Sequence, residues 1–196
     1  THDILLIFDE VITGFGRLGT PFAAQYFDVE PDMITCAKGL TSGTVPMGAV
    51  MVKTEIYDAF QQGDAKAIDL FHGYTYSAHP LAAAAALAAI DVYSEDGLID
   101  RAADMASYWE DAMHSLRGVG SIIDIRTIGL MAGIEMEARD GKVGARGYDV
   151  FTDAFHEQNL LIRITGDTVA LSPPLIIEKE HIDQIVEILR KIIPNH

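Results

Sequence analysis

The sequence predicts an α/β domain followed by a smaller α+β domain. Three apolar runs, "ILLIF", "MITCAK" and "GAVMV", begin at Ile4, Met33 and Gly48 and are joined by short polar or glycine-containing connections. The first run is continuous rather than alternating, which is typical of a parallel strand covered on both faces. We therefore expect an open α/β sheet over residues 1–93 and a smaller α+β domain over residues 94–196.

Two helices are predicted between the sheet and the second domain. In "SAHPLAAAAALAAIDVY", Pro80 occupies a plausible first helical position, and the alanines would let this helix lie close to a neighbour. After Ser94, apolar residues return every three or four positions, which predicts an amphipathic helix ending near Gly118. The residues of this stripe are Leu98, Ala102, Met105, Trp109, Ala112 and Leu116.

The remaining sequence mixes strand and helix patterns. "SIIDIR" and "GLMAGIEM" predict an antiparallel pair, and "LLIRI" and "TVALS" predict two strands joined across "TGD". "YDVFTDAFHEQ" predicts a helix between these pairs. The apolar spacing of the last 18 or so residues predicts a C-terminal amphipathic helix.

Charge and composition disfavour several classes of partner. The chain has 14 basic and 29 acidic residues among 196, a formal net charge of -15, which repels nucleic acid and anionic membrane. The longest apolar run, residues 81–90, is about half the length that a bilayer-spanning helix needs. The single Cys36 excludes an internal disulfide and agrees with a cytoplasmic location. Because the first residue is Thr1 rather than Met, we expect the chain to be part of a longer protein.

The stretch "DILLIFDEVITGFGRLG", residues 3–19, permits two nucleotide-binding interpretations. An apolar strand ending in Asp9 and Glu10 matches the Walker B pattern of nucleotide hydrolases, although the G-x-x-x-x-G-K-[ST] phosphate loop is absent from this chain. "GFGRLG" matches the G-x-G-x-x-G dinucleotide fingerprint, but "DEVIT" separates it from the strand. The ribose-binding acid should close the next strand, whereas Asp32 precedes "MITCAK".

A third interpretation pairs Asp9 with Lys38. Open α/β sheets bind ligands at the carboxyl edge, and the first two apolar runs end there with Asp9 and Lys38. A carboxylate can keep a pyridine nitrogen protonated, while an amine can form a Schiff base with an aldehyde. This combination is the chemistry of pyridoxal 5′-phosphate. An Asp at a strand end is also common as a turn residue, so these two residues alone leave the interpretations open.

Four stretches together resemble the class III, or ω-, aminotransferases, which are pyridoxal phosphate enzymes of fold type I. They are "LLIFDEVITGFGRLG", "PDMITCAKGLTSGTVPMGAVMV", "FHGYTYSAHPLAAAAALAAI" and "NLLIRITGDTVALSPPLII". The likeness is greatest to the ω-amino acid:pyruvate transaminases and extends over essentially the whole chain, while the family's first half is absent. It implies that residues 1–93 are part of the large cofactor-binding domain and residues 94–196 the small C-terminal domain.

The resemblance implies a role for several residues. Lys38 would be the Schiff-base lysine and proton carrier, Asp9 the partner of the pyridinium nitrogen, and Val11 a contact to one face of the ring. Thr75 and the backbone near Tyr74 would bind the cofactor phosphate of the partner subunit, so that the active site requires a homodimer.

Arg163 matches an arginine that binds the substrate carboxylate. The implied reaction is a ping-pong transfer of an amino group from an ω-amino acid or amine to a keto acid, with pyruvate as the expected acceptor. A decarboxylase or aminomutase on the same fold would use the same Asp9 and Lys38, and a nucleotide hydrolase remains the remote alternative. A further possibility is that the chain is inactive without the missing half.

Other conspicuous residues are expected to be structural. We predict that Glu10 supports the fold, that Arg17 anchors the glycine turn, and that Cys36 is a small buried residue. His72 and His79 lack further metal-ligand spacing, so we expect hydrogen-bonded roles and no metal site.

One departure from the family concerns Ile12. Many relatives carry Gln at this position, where it contacts the phenolic oxygen of the cofactor. An apolar side chain would leave that contact to other groups.

Overall fold

A computed structural model of the chain describes residues 2, 4–64, 66 and 70–196. The chain divides into two compact units. Unit 1 comprises Thr1–Gly16 and Thr20–Leu98, and unit 2 comprises Arg17–Gly19 and Ile99–His196. The boundary predicted near residue 93 falls in the last turn of a helix that ends at Glu95.

Unit 1 contains a three-stranded sheet in the order β1-β2-β3. Its strands are β1 (Ile7–Asp9), β2 (Met33–Cys36) and β3 (Ala49–Val52). β1 and β2 run parallel, as predicted, and their register places Asp9 opposite Thr35. β3 runs antiparallel to β2. The connection between them contains only one 3-10 turn, whereas a parallel crossover needs a helix-sized connection.

Two details of the predicted strands are wrong. The run "ILLIF" was expected to be covered on both faces, yet Ile4 is 82% exposed and Ile7 54% exposed, so the described part of the chain leaves this run largely uncovered. Lys38 was expected to close the second strand, yet β2 ends at Cys36. Lys38 has φ of 42°, outside the extended region, so the ladder cannot continue through it.

The helices of unit 1 are α1 (Ala23–Tyr26), α2 (Thr54–Phe60) and α3 (Pro80–Glu95), with a 3-10 helix at Lys38–Thr41. α3 begins at Pro80 as predicted, where a proline costs no hydrogen bond. Ala82, Ala86 and Ala89 are its buried residues, and α3 packs against the 3-10 helix. The small side chains of this face permit that close approach.

Unit 2 contains a four-stranded antiparallel sheet in the order β4-β5-β7-β6. Its elements in chain order are α4 (Leu98–His114), β4 (Ile122–Ile128), β5 (Met131–Met136), α5 (Ala145–His156), β6 (Arg163–Thr165), β7 (Thr168–Leu171) and α6 (Lys179–Ile192). The predicted pairings of β4 with β5 and of β6 with β7 are confirmed. None of the helices in the described part of the chain is both long and apolar enough to cross a bilayer.

The burial pattern of α4 confirms most of the predicted apolar stripe. Leu98, Ala102, Trp109 and Leu116 are buried, and Met105 and Ala112 are half-buried. α4 ends at His114, earlier than the predicted Gly118, and the chain continues in turns. α6 buries Ile182, Leu189 and Ile192, which confirms the predicted C-terminal amphipathic helix.

Candidate active site

Asp9 is the last residue of β1, and its side chain is exposed, with hydrogen bonds to only one of its two carboxylate oxygens among the described residues. Its Oδ1 accepts hydrogen bonds from the backbone N–H of Val11, at 3.1 Å, and from the hydroxyl of Thr35, at 3.4 Å. Among the described residues, none donates to Oδ2. The hydrogen bonds to Oδ1 therefore orient the carboxylate, and Oδ2 can accept a hydrogen bond from a ligand group such as a protonated ring nitrogen.

Glu10, the next residue, has a different environment. It is 1% exposed, and its carboxylate accepts the backbone N–H groups of Ala23, at 2.9 Å, and Ala24, at 2.8 Å. It also accepts the hydroxyl of Thr13 at 2.5 Å. Glu10 thus caps the start of α1 from outside the helix, in agreement with the predicted structural role. The same contacts argue against a Walker B site, because this carboxylate is occupied by the protein itself.

Lys38 is exposed and lies three residues beyond Thr35, which is the strand partner of Asp9. Its carbonyl accepts the N–H of Gly43, which follows the 3-10 helix, at 3.1 Å. In the described part of the chain its amine makes no hydrogen bond or ion pair. The structure therefore places a carboxylate at the carboxyl end of β1 and an amine two residues beyond the carboxyl end of the parallel strand β2.

The turn that follows β1 contains several residues with positive φ, a conformation that glycine adopts readily. Phe15, Gly16 and Gly19 have positive φ values of 62°, 97° and 79°. The guanidinium of Arg17 donates to the carbonyl of Pro173, in agreement with its predicted anchoring role. No helix opens at Gly19, as a dinucleotide fingerprint would require.

Val11 and Ile12, which follow the two carboxylates, are half-buried and exposed respectively. Cys36, at the end of β2, is buried, and this burial raises the pKa of its thiol, as does the charge of Glu10, against a lowering hydrogen bond from Ala49. A thiol held protonated in this way is consistent with the predicted small buried residue.

Tyr74 and Thr75 lie in an exposed segment that precedes α3. The N–H of Tyr74 donates to Nδ1 of His72 at 3.0 Å, and the two rings are 4.1 Å apart between centroids. His72 thus has the hydrogen-bonded role predicted for it. The same prediction is wrong for His79, the residue before α3, whose side chain makes no hydrogen bond to another described residue because the helix start leaves it exposed. The Thr75 hydroxyl has no hydrogen-bond partner among the described residues, so it can bind a ligand oxygen.

Arg163 belongs to unit 2 and is described there by itself. It is the first residue of β6, pairs with Ala170 in the β6–β7 hairpin, and is exposed. It also lines a cavity of about 890 Å³ whose other walls are mainly apolar. All of the described residues that line this cavity belong to unit 2.

The hairpin that carries Arg163 is fastened to α5 by Asp167. This side chain is 7% exposed and accepts the N–H groups of Gly144, at 2.6 Å, and Gly147, at 2.9 Å. Burial raises the pKa of Asp167, but the hydrogen bonds from these backbone groups and from Arg146, together with the charge of Arg146, outweigh it and lower the pKa. α5 begins at Ala145, three residues before the predicted start at Tyr148, because this carboxylate satisfies its first N–H groups.

Thr35 was not identified from the sequence. It becomes visible only when the two apolar strands are placed in register, which puts it beside Asp9. Because the strand ends were predicted to lie at one edge, aligning Asp9 with the residues before Lys38 would have provided that signal.

Several curated proteins are similar to this chain in sequence. An omega-aminotransferase of Caulobacter vibrioides is 59% identical over 98% of this chain, and a beta-alanine–pyruvate aminotransferase of Pseudomonas aeruginosa is 44% identical over 95% of it. The chain spans 44% and 42% of the lengths of these relatives.

Solved structures of transaminases are also similar to this chain. A structure described as a transaminase with L-alanine matches with a TM-score of 0.91 and 34% identity, covering 98% of this chain and 47% of that one. An (S)-enantioselective omega-transaminase from Thermomicrobium roseum matches with a TM-score of 0.86 and 34% identity, covering 98% of this chain and 43% of that one. These similarities confirm the predicted fold type I architecture. The profile of the aminotransferase class-III family matches residues 1–193, and the chain therefore belongs to that family.

Proposed function

We propose that the full-length protein containing this chain is a pyridoxal 5′-phosphate-dependent aminotransferase that moves an amino group from an ω-amino acid or amine to pyruvate. Two similar proteins, from Pseudomonas aeruginosa and Pseudomonas putida, are named as pyruvate aminotransferases. The observation that carries the proposal is the placement of Asp9 and Lys38 at the carboxyl ends of adjacent parallel strands, with one oxygen of Asp9 and the amine of Lys38 unpartnered among the described residues.

The available groups fit this cofactor. Oδ2 of Asp9 can accept a hydrogen bond from the protonated pyridine nitrogen, and the charge of Asp9 favours that protonated form. The amine of Lys38 can attach to the cofactor aldehyde and, when released, carry a proton to and from the substrate Cα. When bound, the cofactor supplies an electron sink for the cleavage of the Cα–H bond. Val11 is proposed to contact one face of the ring.

The phosphate site is proposed to lie between two subunits of a homodimer. Thr75 has an available hydroxyl, and the backbone at Tyr74 is turned by a positive φ of 51°. These groups would bind the phosphate of the cofactor held by the partner subunit. The enzyme is proposed to act in the cytoplasm.

Arg163 is proposed to bind the substrate carboxylate. Its guanidinium has no carboxylate partner among the described residues, and a planar guanidinium can bind a carboxylate through two parallel hydrogen bonds. A substrate without a carboxylate would make no use of this contact. The arginine therefore distinguishes ω-amino acids and pyruvate from simple amines.

Borohydride reduction of the full-length protein tests the central assignment. A reduced cofactor adduct mapped by mass spectrometry is expected on Lys38, with Lys53 of the same unit as the internal control lysine. A Lys38→Arg variant should give no adduct. Bound cofactor with an adduct on another lysine, or none, would contradict the proposal.

Product analysis tests the reaction type. Incubation with β-alanine and pyruvate is expected to yield alanine without release of carbon dioxide. Release of carbon dioxide would instead indicate a decarboxylase, and an internal amino shift without a keto acceptor would indicate an aminomutase.

A further inference from the structure

The side chain of Tyr93 reaches the Gly39–Leu40 peptide, which is the second peptide after Lys38. Its hydroxyl donates a hydrogen bond to the carbonyl of Gly39, with an O···O distance of 2.7 Å. Tyr93 is half-buried in the last turn of α3, on the face that also carries the buried residues Ala86 and Ala89. The small alanines bring this helix close to the 3-10 helix, and the tyrosine at its end spans the remaining gap.

A second side chain holds the same peptide from the glycine turn. The ring of Phe15 lies beside Gly39 so closely that a Cβ added to Gly39 would be 2.8 Å from the Cβ of Phe15. The rings of Phe15 and Tyr93 also lie together, with 6.2 Å between their centroids. The Gly39 peptide is therefore held by a hydrogen bond from Tyr93 and by steric contact with Phe15.

The backbone next to this peptide is in a sparsely populated conformation. Lys38 has a positive φ of 42°, a region that residues with a Cβ rarely adopt and that persists where surrounding contacts enforce it. The direction of the Cα–Cβ bond of Lys38, and hence the direction in which its amine can reach, depends on this φ. Holding the Gly39 carbonyl in place, two peptides along the chain, restrains the backbone that sets this direction.

We propose that Tyr93 is a positioning residue for Lys38, acting through the Gly39 carbonyl. This inference rests on the proposed function, since it takes Lys38 as the residue that attaches to the cofactor. Attachment forms a carbon–nitrogen double bond between Nζ of Lys38 and the aldehyde carbon, and the aldehyde oxygen leaves as water. Tyr93 increases the rate of this step by restricting the amine to the direction in which it can react.

The test compares Tyr93→Phe with Tyr57→Phe in the full-length enzyme. Tyr93→Phe removes the hydroxyl and retains the ring that contacts Phe15. Tyr57, in α2 of the same unit, is 57% exposed, and its hydroxyl has no hydrogen-bond partner in the described part of the chain, so Tyr57→Phe is a matched control. Cofactor is added to each apoenzyme, and the attachment rate is followed by stopped-flow absorbance well below the unfolding temperature.

We expect Tyr93→Phe to slow attachment about tenfold, the effect of losing one neutral hydrogen bond, and kcat to fall by a similar factor with little change in KM for the amino donor. The control should match the parent enzyme. Attachment rates of Tyr93→Phe and parent within twofold of each other would overturn the inference, whatever the unfolding temperature. If the two rates agree and the reduced cofactor adduct of the parent enzyme maps to Lys38, the proposed function stands and only the role of Tyr93 is wrong. If the adduct of the parent enzyme maps to another residue, the proposed function and the role of Tyr93 are both wrong.

Discussion

Asp9 and Glu10 are adjacent in the sequence and opposite in environment: Asp9 is exposed with one oxygen available, and Glu10 is buried with three donors on its carboxylate. This contrast predicts that neutralising Asp9 affects catalysis, whereas neutralising Glu10 affects stability. Asp9→Asn in the full-length enzyme should lower kcat by about 10²-fold or more, because the charge opposite the ring nitrogen is lost, and should leave the unfolding temperature nearly unchanged.

Glu10→Gln should lower the stability of the protein and leave kcat nearly unchanged. An amide presents one acceptor and one donor to three hydrogen-bond donors, so at least one buried N–H or O–H loses its partner, which costs about 1–3 kcal/mol in the free energy of unfolding. Urea denaturation and steady-state kinetics on both variants measure the two effects. A Glu10→Gln enzyme with parental stability and strongly reduced kcat would show that Glu10 acts in catalysis.

Asp167 predicts a pH dependence of stability. Its pKa in the folded protein is lowered, so its stabilising contribution is complete above the unfolded-state pKa of about 3.9 and is lost as the pH falls through the lower folded value. Asp167→Asn should therefore lower the free energy of unfolding by about 1–3 kcal/mol at pH 7. The difference between variant and parent should shrink at acid pH. Urea denaturation of both proteins at pH 7 and near pH 2, below the unfolded-state pKa, checks this, and a difference that does not depend on pH would contradict the assignment.

Gly147 predicts a steric effect beside Asp167. It lies in α5, where alanine has a higher helix propensity by about 1 kcal/mol. However, a Cβ at this position would lie 2.2 Å from the carbonyl oxygen of Gly166. Overpacking of this kind costs about 1–3 kcal/mol or more and should exceed the propensity gain. We expect Gly147→Ala to lower the unfolding temperature, whereas Gly63→Ala, with no neighbour within 4 Å of its Cβ, should not.

Arg163 predicts a change in substrate selectivity. Arg163→Leu should raise KM for β-alanine by about 10- to 100-fold, the effect of removing a charge-assisted hydrogen bond, and should leave a simple monoamine nearly unaffected. Arg117→Leu is the control, because Arg117 is an exposed arginine of the same unit whose side chain has no partner in the described part of the chain. Equal increases in KM for both donors would show that Arg163 supports the fold rather than the substrate carboxylate.

The sequence predicted those features that depend on local patterns. The β4–β5 and β6–β7 pairs, α3 with Pro80 at its start, and α6 followed from alternation, helical spacing and proline position. Asp9 and Lys38 were recognised as a pair because both follow apolar runs that end at one sheet edge.

The features that were missed depend on contacts between distant segments. Lys38 leaves the strand through a positive φ that Phe15 and Tyr93 support from other parts of unit 1. The early start of α5 results from Asp167, which lies 20 residues after Gly147. No window of neighbouring residues contains this information, so neither feature could be read from periodicity.

The exposed β1 strand has a consequence for handling the chain. Among the described residues, β1 has a strand neighbour on one side only, and Ile4, Leu5 and Ile7 add exposed apolar surface at its start and just before it. An edge of this kind is a template onto which a second extended polypeptide can add by backbone hydrogen bonding. Residues 1–196 produced by themselves are therefore expected to self-associate into aggregates through β1, in spite of a net charge of -15.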